Sequence, residues 1–595
     1  MSQPGNIHSL RWNAAPFDAR RRLAGVAGAA RRVAPWLPLA LLVFLLLVWP
    51  LVKLTIGAFS TAAPLDASGH WTLANFAQMW TEINVSHALA NSLIYAATTT
   101  FLAVSIALGL CFLAQRTDAP LRQLVTPLML VCAATSALFY AIGYSLLANR
   151  FTGVINVLVE NLFGAPALFN VESWPGLIFV DSLHAAAFLY LFLAGPFANM
   201  DRSLEEAALA AGASRLRAFF TITLQLLRPI LSSVVLMGVI IGLKSFSVPL
   251  ILGTPADLSF LTVRILRTLQ QYEPPQYGEA SALAVSLTVF IGLLLYAQYR
   301  LVGRRSYVTV SGKAPRQTRW ELGAWRWPAA LFILAYALLG VVLPLGAIVF
   351  SSFLPFPGVY DTLSLVNYRA LFANPDIDQI LLNTAFCAVG AGLVGVLLAF
   401  AIAYFTSRAR PGVAALLRGA TQLQLAMPGL VGSLALIWAV TSLPVVRHIY
   451  GTVWLLVLAF VVVVLPVSVQ IAGSAVRQLS RELEDAARVS GASALRSTLQ
   501  ITMRLLLPSL LFAWLLAMIA IMGDLDAPLL LSSAGTRTMS VHIYKLFDGV
   551  DQAQAAALLS LLLGFILVSV SVFGVLQSLA RGRRLRALPV NGAFS

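Results

Sequence analysis

Apolar residues in this chain do not alternate with polar ones; they run in long blocks separated by short polar stretches. A helix needs about 20 apolar residues to cross a bilayer, and blocks of that length recur along the chain. In hydrocarbon the backbone must satisfy its own hydrogen bonds, which makes each block a predicted helix. Twelve spans are expected, at 36–58, 90–114, 124–147, 177–199, 231–253, 281–301, 327–352, 382–406, 418–441, 452–474, 509–533 and 554–578. The predicted fold class is an all-α polytopic membrane protein.

Polar landmarks between the blocks repeat. Residues 205–213 read EEAALAAGA and residues 484–492 read EDAARVSGA. Glu206 aligns with Asp485, Gly212 with Gly491, Ile222 with Ile501, Pro229 with Pro508 and Pro249 with Pro528, all at an offset of 279. Upstream, LANF (73–76) answers LVNY (365–368) and Asn91 answers Asn383 at an offset of 292. A length difference in the outer segment 148–176 accounts for the change of offset. Apolar sequence matches by chance, but Gly, Pro and polar positions in one register indicate duplication. The expected organisation is a tail at 1–35, a first unit of about six spans at 36–301, a linker at 302–326, a second unit at 327–578 and a tail at 579–595.

Composition agrees with this class. Only 11% of the 595 residues are charged and 59% are hydrophobic, against about 25% charged in soluble domains. The net charge of +16 raises nucleic acid as a partner, but the basic residues gather in alternate loops. Arg20, Arg21, Arg22, Arg31 and Arg32, the run from Arg300 to Arg326, and Arg581 to Arg586 all fall on one side. That is the positive-inside pattern. It predicts both termini in the cytoplasm and a lipid bilayer, with no nucleic acid, as the partner of the basic residues. The first apolar block, Trp36 to Phe59, exceeds the 7–15 residues of a signal-peptide core and reads as a retained span. Cys111, Cys132 and Cys387 lie inside predicted spans and read as small buried residues, with no disulfide or zinc pattern.

The repeated loops have a legible local design. Each starts as an Ala-rich helix with acidic residues in its first turn, then meets a glycine able to reverse the chain. A second helical stretch follows, with Arg215 and Arg217, or Arg496, toward the surface. Pro229 and Pro508 are expected to mark the return to the membrane. This pattern resembles the EAA loop of binding-protein-dependent ABC permeases, type I importers in which the loop docks on the ATP-hydrolysing subunit. The resemblance implies docking by Glu206, Ala207, Ala208 and Gly212 in the first half and by Asp485, Ala486, Ala487 and Gly491 in the second. The chain departs from the family pattern at Asp485, which replaces Glu, and at Gln225 and Arg504, which stand where the family often has Pro.

No GxxxxGK[ST], HExxH, nucleophile elbow or dinucleotide fingerprint occurs. No catalytic residue, metal site or cofactor is therefore assigned to this chain. The resemblance implies that ATP is bound by partners, two copies of an ABC ATPase, and that a periplasmic solute-binding protein delivers solute at a bacterial inner membrane.

Charged groups inside spans are costly and mark candidate functional sites. Asp524 and Asp526 occur in MGDLDAPLLL, and Lys244, Ser245 and Ser247 in GLKSFSVPLIL. The 279 offset superposes Ser245 on Asp524 and Ser247 on Asp526. In the family this region lines the pathway, where two carboxylates favour a cationic or metal-bearing solute. The competing reading is an interhelical ion pair with Lys244. Asp181 and His184 share a helix face at i, i+3 and read as a polar packing pair, with part of a gate as the alternative. The fused layout and the segments TVRILRTL and SVHIYKLF resemble ferric-iron permeases, with phosphonate (2-aminoethylphosphonate-type) and polyamine permeases as the alternatives. An ion-coupled secondary transporter also shows repeated halves, but it needs no docking loops. A membrane-embedded enzyme would need a further His, Asp or Glu cluster.

Overall fold

In the computed structural model, residues 37–66, 68–81, 85–164, 167–199, 203–302, 319–360, 362–409 and 411–586 are described. The N-terminal tail, most of the linker and the end of the C-terminal tail lie outside them. The first half comprises α1 (Leu37–Ala58), α2 (Val85–Arg116), a bent pair α3 (Arg122–Ala134) and α4 (Ala137–Ala148), and α5 (Trp174–Asn199). It continues with α6 (Ser203–Ala210), α7 (Phe219–Lys244), α8 (Leu261–Gln270) and α9 (Tyr277–Val302). The second half repeats the order. Its first members are α10 (Gly323–Ser352), α11 (Ile377–Arg408), a bent pair α12 (Pro411–Ala426) and α13 (Gly429–Thr441), and α14 (Val453–Arg477). Then come α15 (Glu482–Val489), α16 (Ala494–Gly523), α17 (Met539–Asp548) and α18 (Gln552–Arg586). The protein is an all-α polytopic membrane protein.

Among the described residues ten helices are long and apolar enough to cross, and the two bent pairs turn by 96° and 117°. The spans expected at 124–147 and 418–441 are each such a bent pair. The backbone turns extended at Thr135 (φ −84°, ψ 135°) and at Met427 (φ −94°, ψ 125°). For Met427 the cause is local, because Pro428 disfavours the helical region in the residue before it. Each bent pair still counts as one crossing. The Tyr95 hydroxyl reaches Asp181 at 2.8 Å near the start of both helices, and Gln115, near the end of α2, is hydrogen-bonded to Tyr190 further along α5. These contacts show that α2 and α5 run parallel, so the chain must recross between them.

The spans expected at 231–253 and 509–533 are corrected. Their helices begin earlier, at Phe219 and Ala494, and stop at Lys244 and Gly523. Pro229 and Pro508 lie inside α7 and α16 and mark no boundary. A membrane helix tolerates such a residue where neighbouring groups satisfy the freed carbonyl.

Between lipid-like surfaces, helix association depends on close packing at small residues. A Cβ on Gly242 would lie 2.8 Å from the Ala96 Cα, and one on Gly395 would lie 2.6 Å from a Val464 methyl. The first span of each half is exchanged. The helix α1 packs against α9 of its own half and α13 of the other, while α10 packs against α18 and α4. A Cβ on Gly57 would meet the Trp438 ring at 2.5 Å, and one on Gly143 the Pro344 carbonyl oxygen at 2.6 Å. A π-helical turn at Leu338–Val342 in α10 disturbs the ordinary ladder. There Tyr140 donates to the Gly340 carbonyl at 2.7 Å and Tyr144 to the Leu339 carbonyl at 2.5 Å.

The landmark asparagines do the same work twice. Asn75 donates to the Ala58 and Ser60 carbonyls at 3.0 and 2.9 Å, and Asn367 to the Ser352 and Leu354 carbonyls at 3.0 and 2.6 Å. Asn91 holds the Ser259 carbonyl, and Asn383 holds those of Gly535 and Arg537.

Candidate functional site

Each of the two repeated loops is a short helix closed by a left-handed glycine. Gly212 has φ +86° and Gly491 has φ +91°. The Ala213 N–H bonds the Ala208 carbonyl at 2.9 Å and the Gly212 N–H the Leu209 carbonyl at 3.0 Å. In the second loop Ala492 bonds Ala487 and Gly491 bonds Arg488, both at 3.0 Å. This is the double closure that favours glycine one position past a helix end. Ser214 and Ser493 then accept from the Arg217 and Arg496 backbone N–H groups at 3.3 Å. Glu206, Ala207 and Gly212 are exposed, as are Asp485, Ala486 and Gly491, while Ala208 and Ala487 are half-buried.

The preceding acidic residue has a different role, which the sequence reading missed. Glu205 is buried, lies 3.5 Å from the Arg116 guanidinium at the end of α2, and accepts from the Thr223 hydroxyl. Glu484 likewise pairs with Arg408 at the end of α11 and accepts from Thr502. Tyr404 adds a hydrogen bond to Glu484 at 3.2 Å, with the Arg408 guanidinium 3.7 Å from its ring centre. One Arg–Glu–Thr clamp thus ties each loop helix to two membrane helices. The signal was available, since all three residues recur at the offsets that define the repeat.

Between the halves lies a cavity of about 430 Å³ lined by Asp181, His184, Lys244, Ser247, Asp524 and Asp526. Ser245 also faces it, and its carbonyl accepts from Thr262 at 2.8 Å. The Ser247 hydroxyl donates to Asp526 Oδ1 at 3.1 Å across 279 residues. Equivalent positions of the two halves therefore touch, as at a two-fold interface. Asp524 Oδ1 accepts from the Asp526 N–H at 3.2 Å, whereas its Oδ2 is buried with no hydrogen-bond partner.

The competing reading, an ion pair of Lys244 with these carboxylates, is not the contact found. Lys244 Nζ donates to the Leu425 carbonyl at 3.1 Å, in the bend of α12. The Arg116–Glu205 and Arg408–Glu484 ion pairs belong to the clamps, outside this cavity. His184 Nε2 meets the Thr135 carbonyl at 3.0 Å, in the other bend. Asp181 and His184 thus bond to different helices, and they join the cavity of Asp524 and Asp526, which their spacing did not foretell. No three His, Cys, Asp or Glu side chains among the described residues gather closely enough to hold a metal ion. Beyond the cavity, α17 buries His542 beside Arg537. Burial, and then that guanidinium, hold its imidazole below the ordinary histidine range.

Comparison with known proteins covers both halves. Residues 392–585 match the family described as binding-protein-dependent transport system inner membrane component. The ferric transport system permease protein FbpB of Actinobacillus pleuropneumoniae is 28% identical over 547 residues, spanning 90% of this chain and 77% of that protein. The Fe(3+)-transport system permease protein FbpB 2 of Haemophilus influenzae is 24% identical over 394 residues, 65% of this chain and 73% of that one. A diacetylchitobiose uptake system permease, NgcG of Streptomyces coelicolor, aligns 93% of its own length to 48% of this chain at 27% identity. That relative is the length of one unit, and this chain carries two. On these matches and the repeated architecture, the chain is similar over both halves to the permeases of binding-protein-dependent ABC transport systems, in a fused two-unit form.

Proposed function

We propose that the chain is the membrane pathway of an ATP-driven importer of ferric iron. The observation that carries the reading is the duplicated helix–glycine knob, built from the same contacts around Gly212 and Gly491. One knob presents Glu206, Ala207, Ala208 and Gly212 to an ATPase subunit, and the other presents Asp485, Ala486, Ala487 and Gly491 to a second copy. ATP binding and hydrolysis in those subunits bias the permease between inward- and outward-facing states. A periplasmic solute-binding protein supplies the iron on the opposite side. The basic loops put the docking side and both termini in the cytoplasm.

The iron reading rests on the ferric relatives and on the carboxylates of Asp524 and Asp526, joined by Asp181, around Lys244, Ser245 and Ser247. A Cβ at Gly212 or Gly491 meets no atom within 4 Å, so a side chain there meets no clash, and its cost to the fold is the strain of the left-handed turn. In cells carrying the whole system, Gly212→Arg/Gly491→Arg is expected to abolish uptake of radioactive ferric iron while leaving the permease in the membrane. Gly491→Asn, which tolerates the left-handed turn, is expected to retain uptake. Full ATP-dependent uptake by the double Arg variant refutes docking through these loops. Uptake of another solute but no iron by the wild type refutes the substrate alone.

A further inference from the structure

A second polar cavity, of about 360 Å³, opens on the docking side of the second half. Arg408, Arg418, Arg477 and Arg481 line it with several hydroxyl groups, and Glu484 is its single carboxylate. Arg408 is occupied by Glu484. Arg418 Nε donates to the Ala414 carbonyl at 3.1 Å and Arg481 to the Ser407 carbonyl at 2.5 Å, both neutral acceptors. Three guanidinium groups thus face one cavity with no carboxylate partner among the described residues.

Loop charge alone does not explain this arrangement. Arg418 stands seven residues into α12, roughly 10 Å along the helix at 1.5 Å per residue. Its counterpart in the first half is Thr126, bonded to Tyr190, and that of Arg477 is Ala198. Arg481 has a counterpart in Arg202, so the two halves differ at Arg418 and Arg477. Leu505, also on its lining, is an exposed apolar side chain on α16. A basic pocket between membrane helices with an apolar flank fits an amphiphile, and guanidinium groups suit phosphate oxygens.

We infer that this pocket binds the headgroup of an anionic phospholipid of the cytoplasmic leaflet, with its phosphate among Arg418, Arg477 and Arg481 and its acyl chains along Leu505. The bound lipid then braces α15 beside its clamp to α11 and α16, so the second docking loop depends on lipid composition and the first does not.

The test titrates phosphatidylglycerol or phosphatidylcholine onto the delipidated transporter, permease with its ATPase subunits, and counts bound lipid by native mass spectrometry. Wild type is expected to hold one phosphatidylglycerol in clear preference to phosphatidylcholine. Arg418→Gln/Arg477→Gln is expected to weaken it about 30-fold, or about fivefold per arginine, while Arg418→Lys/Arg477→Lys keeps most of the binding. Equal binding of the two lipids by wild type overturns the proposal without any variant. Displacement of the lipid by millimolar inorganic phosphate overturns it in favour of a free phosphate. Loss of ATPase co-purification in the Gln variant with unchanged lipid binding also overturns it, and assigns the pocket to the ATPase interface.

Discussion

Asp524 and Asp526 sit two residues apart in different surroundings. Asp526 has the Ser247 hydroxyl as donor, while Asp524 keeps a buried oxygen with no partner. An unsatisfied buried polar atom costs roughly 1–3 kcal/mol, more when charged. Asp524→Asn removes the charge at constant shape. It is expected to lower iron uptake at least tenfold while raising the melting temperature of the purified permease. A variant that transports normally moves Asp524 out of the pathway. The sequence shows these residues plainly, because a charge in an apolar block is conspicuous. It does not show that Asp181 and His184 share their cavity. Spacing of i, i+3 fixes a common helix face, but the neighbour that this face meets is set by packing across other helices.

At the scale of elements the two clamps invite comparison. Side chains of the Arg116–Glu205 pair are 2% and 4% exposed, against 25% and 12% for Arg408–Glu484. Removing one partner of a fully buried pair costs roughly 3–5 kcal/mol, whereas water partly compensates at the more exposed one. Arg116→Ala should therefore lower the melting temperature distinctly more than Arg408→Ala, and equal losses count against the burial argument. The helices, their order and the turns of the repeated loops were legible, since apolar length, Ala-rich runs and a glycine after them report local conformation. The bends were not. Pro428 gave a cue at one, but nothing around Thr135 and Ser136 interrupts the apolar pattern at the other. The clamps were legible in principle, because Arg116 and Arg408 stand in register like Asn91 and Asn383.

Across the whole molecule the repeat identifies corresponding elements but not touching ones, and so the exchange of α1 and α10 stayed hidden. The exchange rests on close approach. Valine at Gly57 or Gly143 would collide with Trp438 or the Pro344 carbonyl, and overpacking of this kind costs roughly 1–3 kcal/mol. Gly57→Val and Gly143→Val should each lower the melting temperature of the purified chain. Gly346→Ala in α10, where a Cβ meets nothing within 4 Å, should leave it level or raise it. Destabilisation by Gly346→Ala as large as that by Gly143→Val contradicts the exchanged packing.

The exchange also sets an order of events during synthesis. Gly57 leaves the ribosome roughly 380 residues before Trp438, a delay of roughly 20–80 s at ~5–20 residues per second. Throughout that interval α1 has no partner in the second half and must persist in lipid. Its composition suits such a wait, because α1 is the least buried of the ten spans and its lone charge, Lys53, rests over the Trp49 ring. The first half therefore cannot mature as an independent unit on the nascent chain, and its completion is deferred until the second half arrives.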